Sequence, residues 1–367
     1  MLIDIIAGAR PNFVKIAPII QALQRRQAHD GPLGYRLIHT GQHYDSRMSG
    51  EFFEQLAIPK PDVNLEVGSG SQAEQTAAIM TRYETLLLQR RSDICVVVGD
   101  VTSTMACAIT ARKLCVDVAH VEAGIRSGDW TMPEEVNRVV TDSITNWFFT
   151  TSEVANANLR RAGADSERIL FVGNTMIDTL LGNLSRLRKP VFWNEFGLEQ
   201  GSYLVLTLHR PANVDDKCSL AALLGAIARA SRGIPVVFPV HPRTAKTLQN
   251  IEAPSNLRQV SPQPYLEFNY LVKNAKAVIT DSGGITEETT VLGVPCMTLR
   301  TSTERPETVT IGTNELLGTD PSVLQGALDR LFAGEWKRGA IPEKWDGRTS
   351  ERIVTALEEI LLDRGAS

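Results

Sequence analysis

Short apolar runs rich in β-branched residues alternate with longer helix-like segments along almost the whole chain. The runs are bounded by Gly, Asp or Ser and lack the polar alternation of half-exposed strands, so they indicate parallel strands buried on both faces. Strands that alternate with helices fold through right-handed crossovers into a doubly wound parallel sheet, and we predict the α/β class. The expected strands lie at 2–8, 35–41, 94–100, 116–124, 147–152, 169–174, 203–210, 234–243, 277–284 and 294–300.

The predicted strands fall into two series, separated by a long helical and polar stretch at about 175–200. A chain of 367 residues is also too long for one ordinary core. We therefore predict two Rossmann-like lobes, 1–174 and 175–348, followed by an amphipathic helix at 349–365. Because ligands of open α/β sheets bind beyond the carboxyl ends of the strands, we expect the active site in the cleft between the lobes.

Composition narrows the class of partner. The net charge is −4, from 38 basic and 42 acidic residues, which argues against a nucleic-acid-binding protein. No apolar stretch approaches about 18 residues and no basic region precedes the first apolar run, so we expect neither a membrane helix nor a signal peptide. The five cysteines form no CxxC motif and favour reduced thiols in a cytoplasmic protein. Without an HExxH motif or a Cys cluster, we predict no metal site.

Cations follow the first predicted strand, where a helix begins. Gly8 permits a tight turn, Pro11 suits the first turn of a helix, and Arg10 and Lys15 bring positive charge to the helix N-terminus. This arrangement predicts an anion site. The alternative is that these residues are ordinary surface charges at a helix start.

A second anion site is predicted late in the second series. Ser282, Gly283 and Gly284 lead from a strand into a helix, so their backbone N–H groups can cradle a phosphate. Glu288 follows in the first turns and can hold ribose hydroxyls, or it is only an acid that the helix dipole favours. Arg305 lies in the loop after the last strand of this series, and arginine binds phosphate bidentately.

Acidic residues end or interrupt buried strands of the first series. Asp100 closes the apolar run VVVGD, and Glu122 interrupts another run in HVEAG. An ionised acid in such a place is costly unless it has a partner or a function, so both are candidate catalytic groups. For Glu122 the structural alternative is an ion pair with Arg126 or Arg138.

Two further acids, Glu134 and Glu135, follow Pro133 at a predicted helix start. One of them is expected to be an ordinary acid at a helix N-terminus, where the helix dipole favours negative charge. The other is a candidate for the same chemistry as Asp100 and Glu122.

Histidines also gather at strand ends. Four of the six lie at or beside the end of a predicted strand, and His43 follows one of them closely. A lone histidine in such a place is usually a hydrogen-bonded core residue, but four in equivalent places indicate a functional role for at least one. We favour His209, which ends the run YLVLTLHR and opens into a loop. The four are His39, His120, His209 and His241.

Nine segments carry these features in a fixed order: GARPNFVKIAP, HTGQHYD, GDVTSTMA, HVEAGIRSGDWTMPEEVNR, VGNTMID, LTLHRPANVD, VHPRT, DSGGITEE and TERPET. Together they resemble the non-hydrolysing UDP-N-acetylglucosamine 2-epimerase family over nearly the whole chain. The combination of HVEAGIR, PEE and NR with DSGGITEE and TERPE is highly specific. The resemblance implies a GT-B fold, a C-terminal helix (349–365) that joins the first lobe, no cofactor, and a homodimer.

The resemblance also implies a reaction, the reversible conversion of UDP-N-acetylglucosamine into UDP-N-acetylmannosamine. The proton at C2 of the sugar is not acidic, so the family eliminates UDP across C1–C2 to form a 2-acetamidoglucal. It then adds UDP back after protonation on the other face. This reaction needs a base near C2, an acid on the opposite face and strong stabilisation of the departing diphosphate.

Matched residue by residue, the resemblance assigns catalysis to Asp100, Glu122 and Glu134, with His209 beside them. It leaves open which of the acids is the base. The predicted contacts to the UDP-sugar include most of the residues introduced above. They are Arg10, Lys15, His43, Arg138, His241, Phe268, Ser282, Gly283, Gly284, Glu288 and Arg305, with Phe268 near the uracil.

Some segments depart from the family pattern. Gln42 and His43 retain part of a Gln-His-x-Gln motif with which several bacterial members bind a second, allosteric UDP-N-acetylglucosamine. Asp45 replaces the second Gln and 65–72 contains no arginine, so we do not expect allosteric control by substrate. The segments 39–45 and 126–127 also resemble those of relatives that act on UDP-2,3-diacetamido-2,3-dideoxyglucuronate, which is therefore an alternative substrate. A hydrolysing 2-epimerase and a GT-B glycosyltransferase are competing hypotheses for the function.

Overall fold

The structure, a computed structural model, describes residues 1–41, 53–249 and 251–365. The chain divides into two compact units, Met1–Gly182 with Glu343–Ser367, and Asn183–Pro342. Each unit contains one parallel β-sheet with helices between its strands. This arrangement confirms the predicted α/β class with two doubly wound lobes.

The sheet of the first unit has seven parallel strands in the described residues: β1 (Leu2–Ala7), β2 (Gly34–His39), β3 (Val63–Asn64), β4 (Ile94–Val98), β5 (Asp117–Val121), β6 (Trp147–Thr150) and β7 (Ile169–Phe171). Their order across the sheet is β3-β2-β1-β4-β5-β6-β7. The order reverses between β1 and β4, and ligands of such sheets bind at the carboxyl ends of the strands beside that reversal.

The sheet of the second unit has six parallel strands among the residues described: β8 (Leu204–Thr207), β9 (Val236–Pro239), β10 (Leu257–Val260), β11 (Ala277–Thr280), β12 (Cys296–Thr298) and β13 (Asn314–Leu316). Their order is β10-β9-β8-β11-β12-β13, so the reversal lies between β8 and β11. Thr207 and Thr280, the last residues of these two strands, are register partners.

Helices connect most of the strands. The start of one of them is a capping box, in which Ser71 Oγ accepts a hydrogen bond from Glu74 N–H (3.2 Å) and the Glu74 carboxylate accepts one from Ser71 N–H (2.8 Å). In the part of the chain that the structure describes, α-helices include α1 (Arg10–Gln27), α2 (Gln72–Gln89), α3 (Thr102–Lys113), α4 (Pro133–Ile144), α5 (Glu153–Arg161), α6 (Thr175–Asn183), α7 (Pro211–Val214), α8 (Lys217–Ala230), α9 (Pro242–Leu248), α10 (Tyr265–Asn274), α11 (Gly283–Leu292), α12 (Pro306–Thr310), α13 (Ser322–Phe332) and α14 (Thr349–Gly365).

Side chains of the second sheet alternate between two apolar cores. Leu204 and Leu206 of β8 pack into one core with residues of α8 and α13. Val205, between them, packs into the other core with residues of α10. Successive side chains of a strand point to opposite faces, so both faces of this sheet are covered. This explains why the strands read as continuous apolar runs rather than alternating ones.

Three strands were not predicted from the sequence: β3, β10 and β13. All three lie at the edges of their sheets. Of the four residues of β10, Arg258 and Gln259 are exposed, and β3 and β13 have only two and three residues. Edge strands are short or polar because one flank is unpaired, so they lack the apolar run that marks the central strands.

The predicted lobe boundaries shift by a few residues. The chain enters the second unit after residue 182 rather than 174, and returns to the first after 342 rather than 348. Helix α6 stays with the first unit because Thr179 Oγ1 donates to Val14 O on α1 (2.6 Å). The Asp178 carboxylate also accepts the N–H groups of Thr349 (3.0 Å) and Ser350 (2.6 Å) at the start of α14.

No helix in the described part of the chain is long and apolar enough to span a membrane.

Candidate active site

The loop after β1 is tied to the end of β4 by Asn12. Its Oδ1 accepts hydrogen bonds from the backbone N–H groups of Gly8 (3.2 Å) and Ala9 (3.0 Å), and its Nδ2 donates to Val98 O (2.7 Å). Asn12 therefore organises the loop that carries the predicted cations, directly at the reversal of strand order. Sequence reasoning missed this role, although an Asn just inside a helix start, where it can accept backbone N–H groups, is a recognisable feature.

Lys15 and Glu122 form a buried ion pair across the ends of β1 and β5. Of the alternative partners predicted for Glu122, Arg126 pairs with Asp142, and Arg138 pairs with Asp100 and Glu135. Glu122 has a φ of 69°, a left-handed conformation that costs a non-glycine residue about 1–3 kcal/mol and occurs preferentially at functional sites.

Gly99 gives this ion pair its space. A Cβ atom at position 99 would lie 3.1 Å from Lys15 Nζ and 3.2 Å from Glu122 Oε2, and Gly99 itself has a φ of 69°. Only glycine adopts such a conformation readily and leaves this room. The turn between β4 and Asp100 is therefore shaped to accept the Lys15–Glu122 pair.

Asp100 is held by Arg138 of α4. The Nε and Nη2 atoms of Arg138 donate to Asp100 Oδ2 (3.0 and 2.7 Å), and Asn137 Nδ2 donates to the backbone carbonyl of Asp100 (2.8 Å). The Asp100 side chain is 30% exposed while that of Arg138 is 6% exposed. The acid can thus reach a ligand from a fixed position. Arg138, predicted as a substrate contact, here orients a candidate catalytic acid.

Glu135, not Glu134, is the buried acid at the start of α4. Its carboxylate accepts the N–H groups of Ser127 (2.9 Å) and Gly128 (3.0 Å), and Arg138 Nη1 (2.6 Å). Burial raises the pKa of Glu135, but these hydrogen bonds outweigh it and the pKa lies below its usual value. Glu135 is therefore structural, and the half-buried Glu134 stays the candidate from this pair.

Two of the strand-end histidines are part of the scaffold. His120 is fully buried, with Nδ1 2.7 Å from Asp142 Oδ1 and Nε2 2.8 Å from Gly99 O. His39 accepts the Gly41 N–H on Nδ1 (3.0 Å), and burial lowers its pKa. Among the described residues, no three His, Cys, Asp or Glu side chains are grouped so as to hold a metal ion.

His209 and His241 are the exposed strand-end histidines, and both belong to the second unit. Their rings lie 6.4 Å apart, centroid to centroid. His209 Nδ1 lies 2.7 Å from Oδ1 of Asp281, which follows β11 and is fully buried. The strands β8 and β11 therefore bring a histidine and a carboxylate together at the reversal of the second sheet.

The predicted phosphate cradle lies beside this pair. Ser282 is the N-cap of α11 and Gly283 its first residue, so the free N–H groups of the first turn form an anion-binding end. A Cβ atom at Gly283 would lie 3.7 Å from Arg300 Nη1 and 3.8 Å from Glu304 Oε2. Arg300 is buried and pairs bidentately with Glu304 (2.8 and 2.7 Å). Arg300 was missed from the sequence, although it ends an apolar strand as Asp100 does.

Glu288 and Phe268 lie deeper than expected for simple surface contacts. Glu288 is 4% exposed, and burial raises its pKa to about 7 although Asn269 donates to it (3.3 Å). Phe268 is half-buried and packs against the apolar core under β8 and β11. Glu288 is thus a buried acid in the first turns of α11.

Arg305 is engaged by Glu287 of α11. The two side chains form an ion pair, with Arg305 11% and Glu287 2% exposed. This places the predicted loop arginine against the same helix that carries the cradle. Arg10 is the first residue of α1, and His43 lies outside the described residues, as do Gln42 and Asp45.

Comparisons with known proteins cover both units. A family model described as UDP-N-acetylglucosamine 2-epimerase matches residues 25–358. The UDP-N-acetylglucosamine 2-epimerase of Methanocaldococcus jannaschii is 40% identical over 369 residues, which cover 97% of this chain and 99% of that protein. The UDP-2,3-diacetamido-2,3-dideoxy-D-glucuronate 2-epimerase of Pseudomonas aeruginosa is 38% identical over 322 residues, 87% of this chain and 88% of that one. The crystal structure of the M. jannaschii enzyme in complex with UDP-GlcNAc and UDP aligns with a TM-score of 0.86 at 40% identity, over 97% and 99% of the two chains.

Proposed function

Because the chain belongs to the UDP-N-acetylglucosamine 2-epimerase family, we propose that it inverts C2 of UDP-N-acetylglucosamine and forms UDP-N-acetylmannosamine reversibly. It is an epimerase with a fold of the GT-B type. The observation that best supports this reaction is the pair of acids at neighbouring strand ends, Asp100 after β4 and Glu122 after β5, each held by its own cation. Carboxylates held in place can act as the base and the acid of proton transfer at carbon.

The reaction proceeds by elimination and addition. A base takes the C2 proton, the C–H electron pair becomes the C1–C2 double bond, and the C1–O electron pair leaves with UDP. A proton then returns to C2 on the opposite face, and the UDP oxygen attacks C1 to restore the bond. We assign the two proton transfers to Asp100, Glu122 and Glu134 of the first unit. Lys15 and Arg138 hold the first two of these acids in place.

The second unit supplies the UDP site in this proposal. The backbone N–H groups of Gly283 and Gly284, beside Ser282, face the diphosphate, because a helix N-terminus stabilises negative charge. His209 and His241 stand beside it, and Glu288 takes the ribose hydroxyls. Arg10, Arg305 and Phe268 complete the proposed contacts, the first two to phosphate and Phe268 to the uracil. Charge that develops on the departing diphosphate is thereby stabilised.

A second candidate substrate is UDP-2,3-diacetamido-2,3-dideoxyglucuronate. The Pseudomonas aeruginosa relative that is named for this substrate is 38% identical to the chain. The same elimination across C1–C2 would serve both sugars, since they differ at C3 and C6 and not at the reacting carbons. We further propose that the enzyme acts in the cytoplasm as a homodimer.

The test is an incubation of the protein with UDP-N-acetylglucosamine in D2O, followed by proton NMR. We expect UDP-N-acetylmannosamine and deuterium at C2 of both sugars. Free N-acetylmannosamine would instead identify a hydrolysing epimerase, and no exchange at C2 of either candidate sugar would refute the proposal. In the Glu122→Gln variant, turnover should be abolished while UDP affinity is retained, because the variant removes only an ionisable group.

A further inference from the structure

We propose that Asp281 is a positioning residue that holds His209 through its Nδ1–H. When a diphosphate binds, the ring takes up a second proton from solvent, and Nε2 then donates a hydrogen bond to the diphosphate oxygen released from C1. This inference rests on the proposed function. It goes beyond that function by assigning to His209 one ring nitrogen and one task, and by naming the residue that sets both.

The two residues meet because their strands are neighbours. Asp281 directly follows β11 and His209 lies two positions after β8, and Thr207 and Thr280 are register partners at the ends of these strands. The Asp281 N–H donates to Thr207 O (3.3 Å), which extends the ladder by one step. Asp281 therefore stands at the reversal of strand order, where ligands of such sheets bind.

Hydrogen-bond donors occupy the acceptor positions of the Asp281 carboxylate. It accepts His209 N–H (3.1 Å), Arg210 N–H (2.9 Å), Asn213 Nδ2 (3.0 Å) and His209 Nδ1 (2.7 Å). A carboxylate offers about four acceptor positions and no donor, so a ring nitrogen that bonds to it must carry the proton. The contact with Asp281 thus defines which nitrogen of His209 is protonated, and Nε2 is left for another partner.

The same carboxylate clamps His209 at two points, the backbone N–H and the ring. A ring held in this way loses little further freedom when a ligand binds, which is the condition for an oriented catalytic contact. The fully buried Asp281 contrasts with the His209 side chain, which is 45% exposed. Buried Asp281 orients the ring of His209, and the exposed ring of His209 is available to the ligand.

Asp281 also brings a fixed negative charge under the ring. Burial raises its pKa, but the hydrogen bonds from His209, Asn213 and the Arg210 N–H outweigh burial and the pKa lies below its usual value. The negative charges of Asp281 on one side of the ring and of the diphosphate on the other both attract a doubly protonated ring. The Nε2 proton stays on nitrogen, because the diphosphate leaves as an anion and needs a hydrogen bond rather than a proton.

The location of the cradle supports this assignment. Ser282, the residue after Asp281, is the N-cap of α11, and a helix N-terminus attracts anions. One residue step therefore separates the group that orients His209 from the backbone that is proposed to bind the diphosphate. The alternative is that Asp281 only anchors the 209–213 loop.

The state of the ring is measurable in the wild-type protein. We expect ¹⁵N-resolved NMR of the histidine rings, with His209 assigned from the His209→Gln spectrum, to show a proton on Nδ1 without ligand and on both nitrogens with UDP bound. An Nε2–H tautomer with a bare Nδ1 would overturn the proposal. This measurement needs only UDP binding, so it stays decisive even where the protein epimerises neither candidate sugar.

Kinetics of Asp281→Asn then separate positioning from loop anchoring. We expect kcat to fall by about 10²–10³-fold, as when one preorganised donor is lost, with KM changed by less than about threefold. Asn213→Ala removes a donor to the same carboxylate without touching the ring, and should keep kcat within about threefold. An equal loss in Asn213→Ala and Asp281→Asn would refute the positioning role.

A double variant tests whether Asp281 acts through His209. In the His209→Gln background, Asp281→Asn should cause little further loss of kcat, because the group that it orients is absent. Fully additive losses would contradict the proposal. Thermal melting identifies a variant that does not fold, and the wild-type ring measurement then decides alone.

Discussion

Nδ1 of His120 lies 2.7 Å from Oδ1 of Asp142, and this pair ties together the loops that carry the candidate acids. His120 Nε2 is 2.8 Å from the carbonyl oxygen of Gly99, the residue before Asp100. Asp142 also accepts the Gly124 N–H (3.1 Å), two residues after Glu122. This buried network therefore helps to position the loops that carry the two acids.

Replacing His120 should harm both stability and turnover. His120→Ala removes the hydrogen-bond partner of two buried groups, the Asp142 carboxylate and the Gly99 carbonyl. This loss should lower the free energy of unfolding by about 1–3 kcal/mol. We expect kcat to fall at least about tenfold, because small misplacements of catalytic groups are costly. Urea denaturation and initial rates measure the two effects. His29→Ala, at an exposed histidine, is the control and should change neither.

Gly99→Ala should inactivate the enzyme by crowding the Lys15–Glu122 pair. The new Cβ would lie 3.1 and 3.2 Å from the two charged groups, in a backbone conformation that strains any residue but glycine. Gly163→Ala is the matched control, since Gly163 also has a positive φ (89°) but has open space around it. Both variants should lose about 1–2 kcal/mol of stability, and only Gly99→Ala should lose kcat. Equal activity in the two would show that the crowding has no consequence.

The buried Glu288 should make stability depend on pH near neutrality. Its folded pKa is raised by burial from the ordinary 4.5 to about 7. The stability that it contributes is therefore complete below about pH 4.5 and is lost as the pH rises through 7. Buried Asp178 and Glu307 have raised pKa values as well, so the informative quantity is the difference between Glu288→Gln and wild type.

That difference should grow by on the order of 3 kcal/mol in favour of Glu288→Gln between pH 4 and pH 8, since one pKa unit is about 1.4 kcal/mol. Urea unfolding without ligand at several pH values measures it. Glu359→Gln, at an exposed acid on α14, should follow the wild-type curve. A Glu288→Gln curve parallel to wild type would mean that Glu288 titrates normally.

The Asp4–Arg36 pair should be the most sensitive ion pair of the first unit's core. Both residues are buried, the pair is bidentate (2.8 Å for each bond), and Tyr83 Oη donates to the same carboxylate (2.9 Å). Asp4→Ala leaves a buried charge unpaired and should cost about 3–5 kcal/mol in urea unfolding. Asp346→Ala breaks a pair with Arg352 at the surface and should cost less than about 1 kcal/mol. Similar costs for the two would contradict this ranking.

Much of the candidate site was predictable because strand ends are visible in the sequence. Asp100, Glu122 and His209 each terminate or follow an apolar run, and the residues after β11 have the pattern that predicts a helix N-terminus. The sequence does not show how deeply these side chains are buried or which residues they contact. Glu135 and Glu134 are adjacent, yet only Glu135 is buried, because the helix turns one of the two toward the loop at Ser127 and Gly128.

The sequence by itself determined two doubly wound parallel sheets, the acids and histidines at their strand ends, and the family. These follow from local patterns, since a run of apolar residues and the helix after it define a strand and its carboxyl end. Only the tertiary structure decided the partners: Lys15 for Glu122 across 107 positions of the chain, Asp142 for His120, and Asp281 for His209. Those pairings depend on the order of strands in each sheet, which places loops distant in sequence side by side and leaves no periodicity in the sequence.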